Sequence, residues 1–125
     1  MPKATTPEIS WLPEPEDQDY TAADSYLRLI YADDKVAKKI AKLKTATVVQ
    51  FKAQDIFRAS QLSLLGVSNS HVERDRKKIT DVASLSPLLL VRDEDNGKVV
   101  IADGYHRLCA VYGFNEDALI HCKII

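Results

Sequence analysis

Val99-Val100-Ile101-Ala102-Asp103-Gly104-Tyr105-His106-Arg107-Leu108 is the stretch from which the rest of the chain can be read. Its β-branched start makes a buried strand that ends at Ala102. A helix starts within two or three residues and carries Leu108, Ala110, Val111 and Tyr112, with Gly113 placed to end it as the C′ residue. Gly104 lets the chain turn sharply and lets a ligand approach the backbone. The first N–H groups of a helix have no internal acceptor, and the helix dipole adds partial positive charge, so such a corner binds anions. Arg107 in the first turn adds a forked guanidinium suited to phosphate oxygens. His106 can donate to a phosphate or move a proton near neutral pH. Asp103 is placed to cap the helix, hold a basic side chain or help hold a metal ion. Tyr105 can stack on a base or ribose, or simply pack. The plain alternative is a structural turn, with Asp103 a cap and His106 and Arg107 exposed; spacing alone does not choose between the two.

Working outward, Pro87 opens a strand at Leu88-Leu89-Leu90-Val91, and Asp95-Asn96-Gly97 joins it to a returning strand, Lys98 to Ala102. Asn-Gly between apolar runs predicts a hairpin with a type I′ turn. Residues 118–125 form a last strand. Upstream, Thr47-Val48-Val49-Gln50-Phe51 predicts a strand and Asp55 to Arg58 one helical turn. Leu64 to Asn69 reads as a loop. Ser68, Asn69 or Ser70 can cap a helix over about residues 70–82, with Val72, Ile79 and Val82 inward and Glu73, Arg74, Asp75, Arg76, Lys77 and Lys78 as its charged residues. Asn69, Ser70 and His71 make a second helix start that could take an anion, with plain capping as the simpler reading.

Two further helices are predicted at 21–32 and 34–44. Thr21 or Asp24 would cap the first, and Tyr26, Leu27, Ile30 and Tyr31 recur at helical spacing in it. Val36, Ile40 and Leu43 do the same in the second. Its lysines, from Lys35 to Lys44, read as a solvated face. Residues 1–19, rich in proline and acids, read as an extended, partly mobile lead-in from which Trp11 and Leu12 could dock on the body. Residues 20–125 then form one α+β domain, with a core at 46–125 behind the helices at 21–44.

Composition sets the outer limits. The chain has 125 residues, 46% hydrophobic and 28% charged, which suits one globular domain rather than a disordered segment. With 17 basic and 18 acidic residues its net charge is −1, which argues against nucleic acid as the main partner. Cys109 and Cys122 form no CxxC pair and read as reduced thiols. No signal-type or membrane-length apolar run is present, so the expected compartment is the cytoplasm. A homodimer is among the expected assemblies.

Gly104-Tyr105-His106-Arg107 resembles the G-x-x-R phosphate motif of the ParB N-terminal domain, often Gly-Glu-Arg-Arg, and the Gly-Cys-His-Arg of sulfiredoxin. Asp103 to Arg107 also resembles the Asp-Gly-x-His/Thr-Arg form of free-serine kinases and other ParB-like proteins. The stretch from Phe51 to Arg58 resembles the family's opening strand and Arg-bearing turn. Ser70 to Ile79 and Ser86-Pro87-Leu88-Leu89-Leu90-Val91 resemble its middle helix and following strand. The likeness spans about residues 46–125 and leaves out the helices at 21–44.

This resemblance implies a small mixed sheet with packed helices and a nucleotide or other phosphate-bearing ligand: ATP, ADP or CTP, with Mg2+. It implies Gly104, His106 and Arg107 on the phosphates, with Tyr105, Arg58, Asn69 and Ser70 completing the pocket. Arg58 reads equally as a surface residue paired with a local acid. Any catalysis would be phosphoryl transfer or nucleotide hydrolysis, with Asp103 and His106 as the reacting groups. Tyr105 stands where sulfiredoxin needs its cysteine, so sulfinic-acid reduction is not expected. The helix-turn-helix that follows in ParB is not in this sequence, which makes a nuclease or DNA-binding role the weakest expectation. A non-enzymatic interaction module, using the helices at 21–44 as its surface, is the rival reading.

Overall fold

The computed structural model describes residues 8–63, 69–81 and 83–125. The expected loop at 64–68 and the inward Val82 lie outside them. Five helices and four strands follow in the order α1 (Asp17–Leu27), α2 (Asp33–Thr45), β1 (Val49–Lys52), α3 (Ala53–Ser60), α4 (Ser70–Thr80), β2 (Leu88–Asp93), β3 (Lys98–Asp103), α5 (Tyr105–Phe114) and β4 (Leu119–Ile124). The strands make one mixed sheet ordered β1-β4-β2-β3. β2 pairs parallel with β4, and the other two pairings are antiparallel. The architecture is mixed α+β.

Successive residues of a strand point to opposite faces, and β2 shows why its run is uniformly apolar. Leu88 and Leu90 face a core made with α3, α4 and α5, where Ile56, Val72, Ile79, Leu108 and Ile120 meet. Leu89 and Val91 face a second core, where Ala23 and Leu27 of α1 and Val36, Ile40 and Leu43 of α2 cover Val100 and Ala102 of β3. Helices therefore flank the sheet on both sides. The helices expected at 21–44 bury one face against it, leaving Tyr26, Leu29 and Ile30 exposed at the turn between them.

Several local expectations are corrected. The first helix begins four residues before Thr21. Acidic Asp17 and Asp19 suit the positive N-terminus, and the Asp19 carboxylate accepts from the Glu16 N–H at 2.8 Å. Thr21 instead donates to the Asp17 carbonyl, and Asp24 pairs with Arg28 at 2.6 Å. Tyr26 and Ile30 do not face inward with Leu27, because the helix ends at Leu27 and the next residues turn. The docking that Trp11 and Leu12 of the lead-in offered is present. Trp11 bridges Leu85, the Leu12 N–H donates to the Leu85 carbonyl at 2.8 Å, and the Trp11 ring stacks on His121. The single turn expected at Asp55 to Arg58 is a helix of eight residues.

The β2–β3 hairpin forms, but not through a type I′ Asn-Gly turn. Glu94–Asn96 make a 3₁₀ turn, and Gly97 at φ 64° alone takes the left-handed conformation. Gly113 is not a C′ residue either: α5 runs on to Phe114 and is capped by Asn115. A side chain at Gly113 would meet the Arg76 guanidinium at 2.8 Å, so this glycine serves the close approach of α4 to α5. Arg76 then lies over the Phe114 ring, 4.1 Å from its centre.

Candidate functional site

The β3–α5 corner is built as a strand, one glycine and a helix. Gly104 sits at φ 105°, and a Cβ there would lie 2.5 Å from Leu88 Cγ and 2.9 Å from Arg107 Nη2. A glycine is therefore required twice over, for the backbone conformation and for space. It is also the N-cap of α5 and has no side chain to offer the first N–H groups of that helix.

Arg107, one turn into α5, folds back over this glycine. Its Nη2 donates to Asp103 Oδ2 at 2.8 Å, and both side chains are largely buried, 16% and 15% exposed. Its Nε is buried and meets no acceptor among the described atoms. Buried N–H groups are nearly always paired, so this unpaired one stands out. Asp103 thus holds a basic side chain, rather than capping α5.

α4 reaches the same corner from the other side. Asn69 caps it in the plain manner, its side-chain Oδ1 accepting from the His71 and Val72 N–H groups at 3.0 and 3.2 Å. Ser70 is exposed at the first helical position. The His71 and His106 rings lie 4.7 Å apart, so the starts of the two helices meet through their histidines. The Tyr105 hydroxyl donates to the Ser63 carbonyl, which ties the corner to the segment after α3. Arg58 stands apart from these contacts: it is 84% exposed, with Asp55 at 4.0 Å.

Two acids that pattern reading had not assigned to this site belong to it. Asp75 of α4 is buried, its field felt by Arg107 and His106. Burial raises its pKa, against the pull of Arg107, Lys78, His106 and Arg74. Asp19 of α1 is also buried, and its charge acts on the Asp103 carboxyl. Burial raises Asp103 most; Arg107 lowers it, and Asp19 raises it further. His106 is held below the usual imidazole value by burial and by His71, with Asp75 acting the other way. The signal was in the spacing. Asp75 shares a helical stripe with Val72 and Ile79, and Asp19 shares one with Ala23 and Leu27.

Among the described residues no group of three or more His, Cys, Asp or Glu side chains is placed to hold a metal ion. Cys109 acts on the Tyr105 hydroxyl, whose pKa is raised first by burial and then by Cys109, while Cys122 lies on β4. Both cysteines are buried, and burial pushes the Cys122 thiol up to about 12, far from a reactive thiolate. Among the described residues no helix is long and apolar enough to cross a membrane.

Compared with protein-family models, curated proteins and solved structures, the chain matches none of them.

Proposed function

We propose that the β3–α5 corner is an anion site for a nucleotide or other phosphate-bearing molecule, in a small ParB/sulfiredoxin-like domain. One observation carries this reading: the buried Arg107 Nε without an acceptor, set beside a helix start whose cap residue has no side chain. A phosphate oxygen is the acceptor that this N–H and the first amides of α5 would share. His106 and His71 flank the same place and can donate to further oxygens. The order of strand, short helix, helix, hairpin and G-x-x-R helix supports the family assignment.

Binding is the function this geometry favours over turnover. Asp103 is engaged by Arg107 and so is not a ready base. His106, kept neutral to lower pH by burial, is the better proton acceptor if a transfer step occurs. Mg2+ would arrive with the nucleotide. The rival reading, an interaction module, has one observation in its favour: Leu29, 83% exposed beside Tyr26 and Ile30.

Calorimetry with ATP, ADP and CTP, each with and without Mg2+, tests the proposal. The expected result is binding by at least one nucleotide, weakened at least about tenfold in Arg107→Lys, which keeps the charge but loses the fork. No binding by any nucleotide or by inorganic phosphate, or equal binding by that variant, removes it.

A further inference from the structure

Helix α2 and the turn of the β2–β3 hairpin line a common groove of about 520 Å3. Lys35, Lys38, Lys39 and Lys42 recur at three- and four-residue spacing, so they share one side of α2 and make one wall. Asp93, at the end of β2, and Glu94 and Asp95 in the 3₁₀ turn make the other, where they outnumber Arg92. Tyr31, Val91 and Ile125 supply the apolar part of the lining.

Among the described residues no ion pair crosses this groove. Lys39 lies instead over the Tyr31 ring, 4.5 Å from its centre, and Asp93 accepts from the Asn96 side-chain amide at 2.9 Å. Lys35, Lys38, Lys42, Glu94 and Asp95 are exposed. One cationic wall and one anionic wall select the occupant. A polyanion would meet the acids, and a polycation would meet the lysines. The surface that suits both is one carrying the same two walls in the opposite order. A second copy presents this when turned about a two-fold axis along the groove, because that rotation sets each lysine wall on the other copy's acids. Leu29 and Ile30, exposed and next to Tyr31 in the chain, give such an interface an apolar part.

Independently of the anion site, we propose that the chain pairs with a second copy of itself through the α2 lysines and the β2–β3 turn. Two-fold symmetry makes each charge contact occur twice. Exposed ion pairs are individually weak, so the dimer is held by several together with the apolar turn before α2, and salt loosens it.

Sedimentation velocity of the full-length chain is the test. A dimer is expected in low salt at about 0.1 mM protein, with association weakened at least about tenfold between about 0.05 and 0.5 M NaCl. Lys38→Glu with Lys42→Glu turns the lysine wall acidic, and Glu94→Lys with Asp95→Lys turns the acidic wall basic. Each of these double variants alone should be monomeric. Mixed in equal amounts they should form a heterodimer, since acidic walls then meet basic walls at both contacts. Circular dichroism checks the fold of each. Lys38→Gln with Lys42→Gln, a milder change, should weaken association at least about tenfold and serves if a reversal unfolds the chain. A wild-type chain that stays monomeric in low salt, whether or not its lysines take up heparin, overturns the proposal. So does a dimer that survives both reversals or the glutamine pair, or a mixture of the two folded reversed variants that remains monomeric.

Discussion

Lys123 and Arg107 are both cations drawn into the interior, and the protein treats them differently. Lys123, 1% exposed on β4, donates to the Lys44 carbonyl at 3.1 Å, pairs with Glu14 at 2.8 Å and lies near the Tyr20 ring. Burial alone would lower its pKa, but its bonds to Glu14 and Tyr20 raise it. It joins the lead-in, α1 and α2 to the sheet and keeps no polar atom in reserve. Arg107 has one strong partner, Asp103, and a buried Nε with none among the described residues. A buried cation that is fully satisfied is part of the scaffold, whereas one left short of an acceptor is the feature on which the proposed anion site rests.

The largest expected effect breaks the comparison if it is absent. Arg107→Ala should destabilise the fold by about 3–5 kcal/mol in urea unfolding, because Asp103 would stay buried beside Asp19 without its counter-charge. Lys123→Met should cost no more than about 1 kcal/mol, because Glu14 is exposed and returns to water. Equal losses in the two variants would show that both ion pairs are structural in the same sense.

The glycines sharpen the same contrast. Gly104→Ala should cost about 2–4 kcal/mol, from a strained left-handed backbone and a methyl group pressed onto Leu88. Gly97→Ala shares the left-handed backbone but has nothing within 4 Å of its would-be Cβ, so about 1 kcal/mol is expected. Thermal unfolding would rank them. Asn69→Ala should cost about 1 kcal/mol, the ordinary price of a lost cap, and leave anion affinity within about twofold. A larger loss of affinity would move Asn69 from capping to binding.

The smallest effect is in pH. Burial is the largest cause of the lowered values of both His106 and His121. A lowered histidine contributes stability that is fully present above its ordinary value of 6.5 and is lost as pH falls through the lowered native value. Urea midpoints should therefore fall on mild acidification. His71→Gln should make the His106 share of that fall smaller, since His71 helps to depress it, and leave the His121 share unchanged.

Much of this was legible in the chain. The junction at Asp103-Gly104, the hairpin around Gly97, and the helices carrying Val36, Ile40 and Leu43 or Val72 and Ile79 all follow from short-range rules of periodicity, capping and turn chemistry. Residue order by itself decided where strands hand over to helices, because those choices depend on neighbours within a few positions. Only the tertiary structure decided which groups Asp19 and Asp75 meet, that Arg107 pairs with Asp103 and keeps one N–H unmet among the described residues, that Lys123 is buried, and that Gly113 serves helix packing. Those outcomes depend on which elements, distant along the chain, come to lie against one another, and a charged side chain carries no local mark of the partner it will meet.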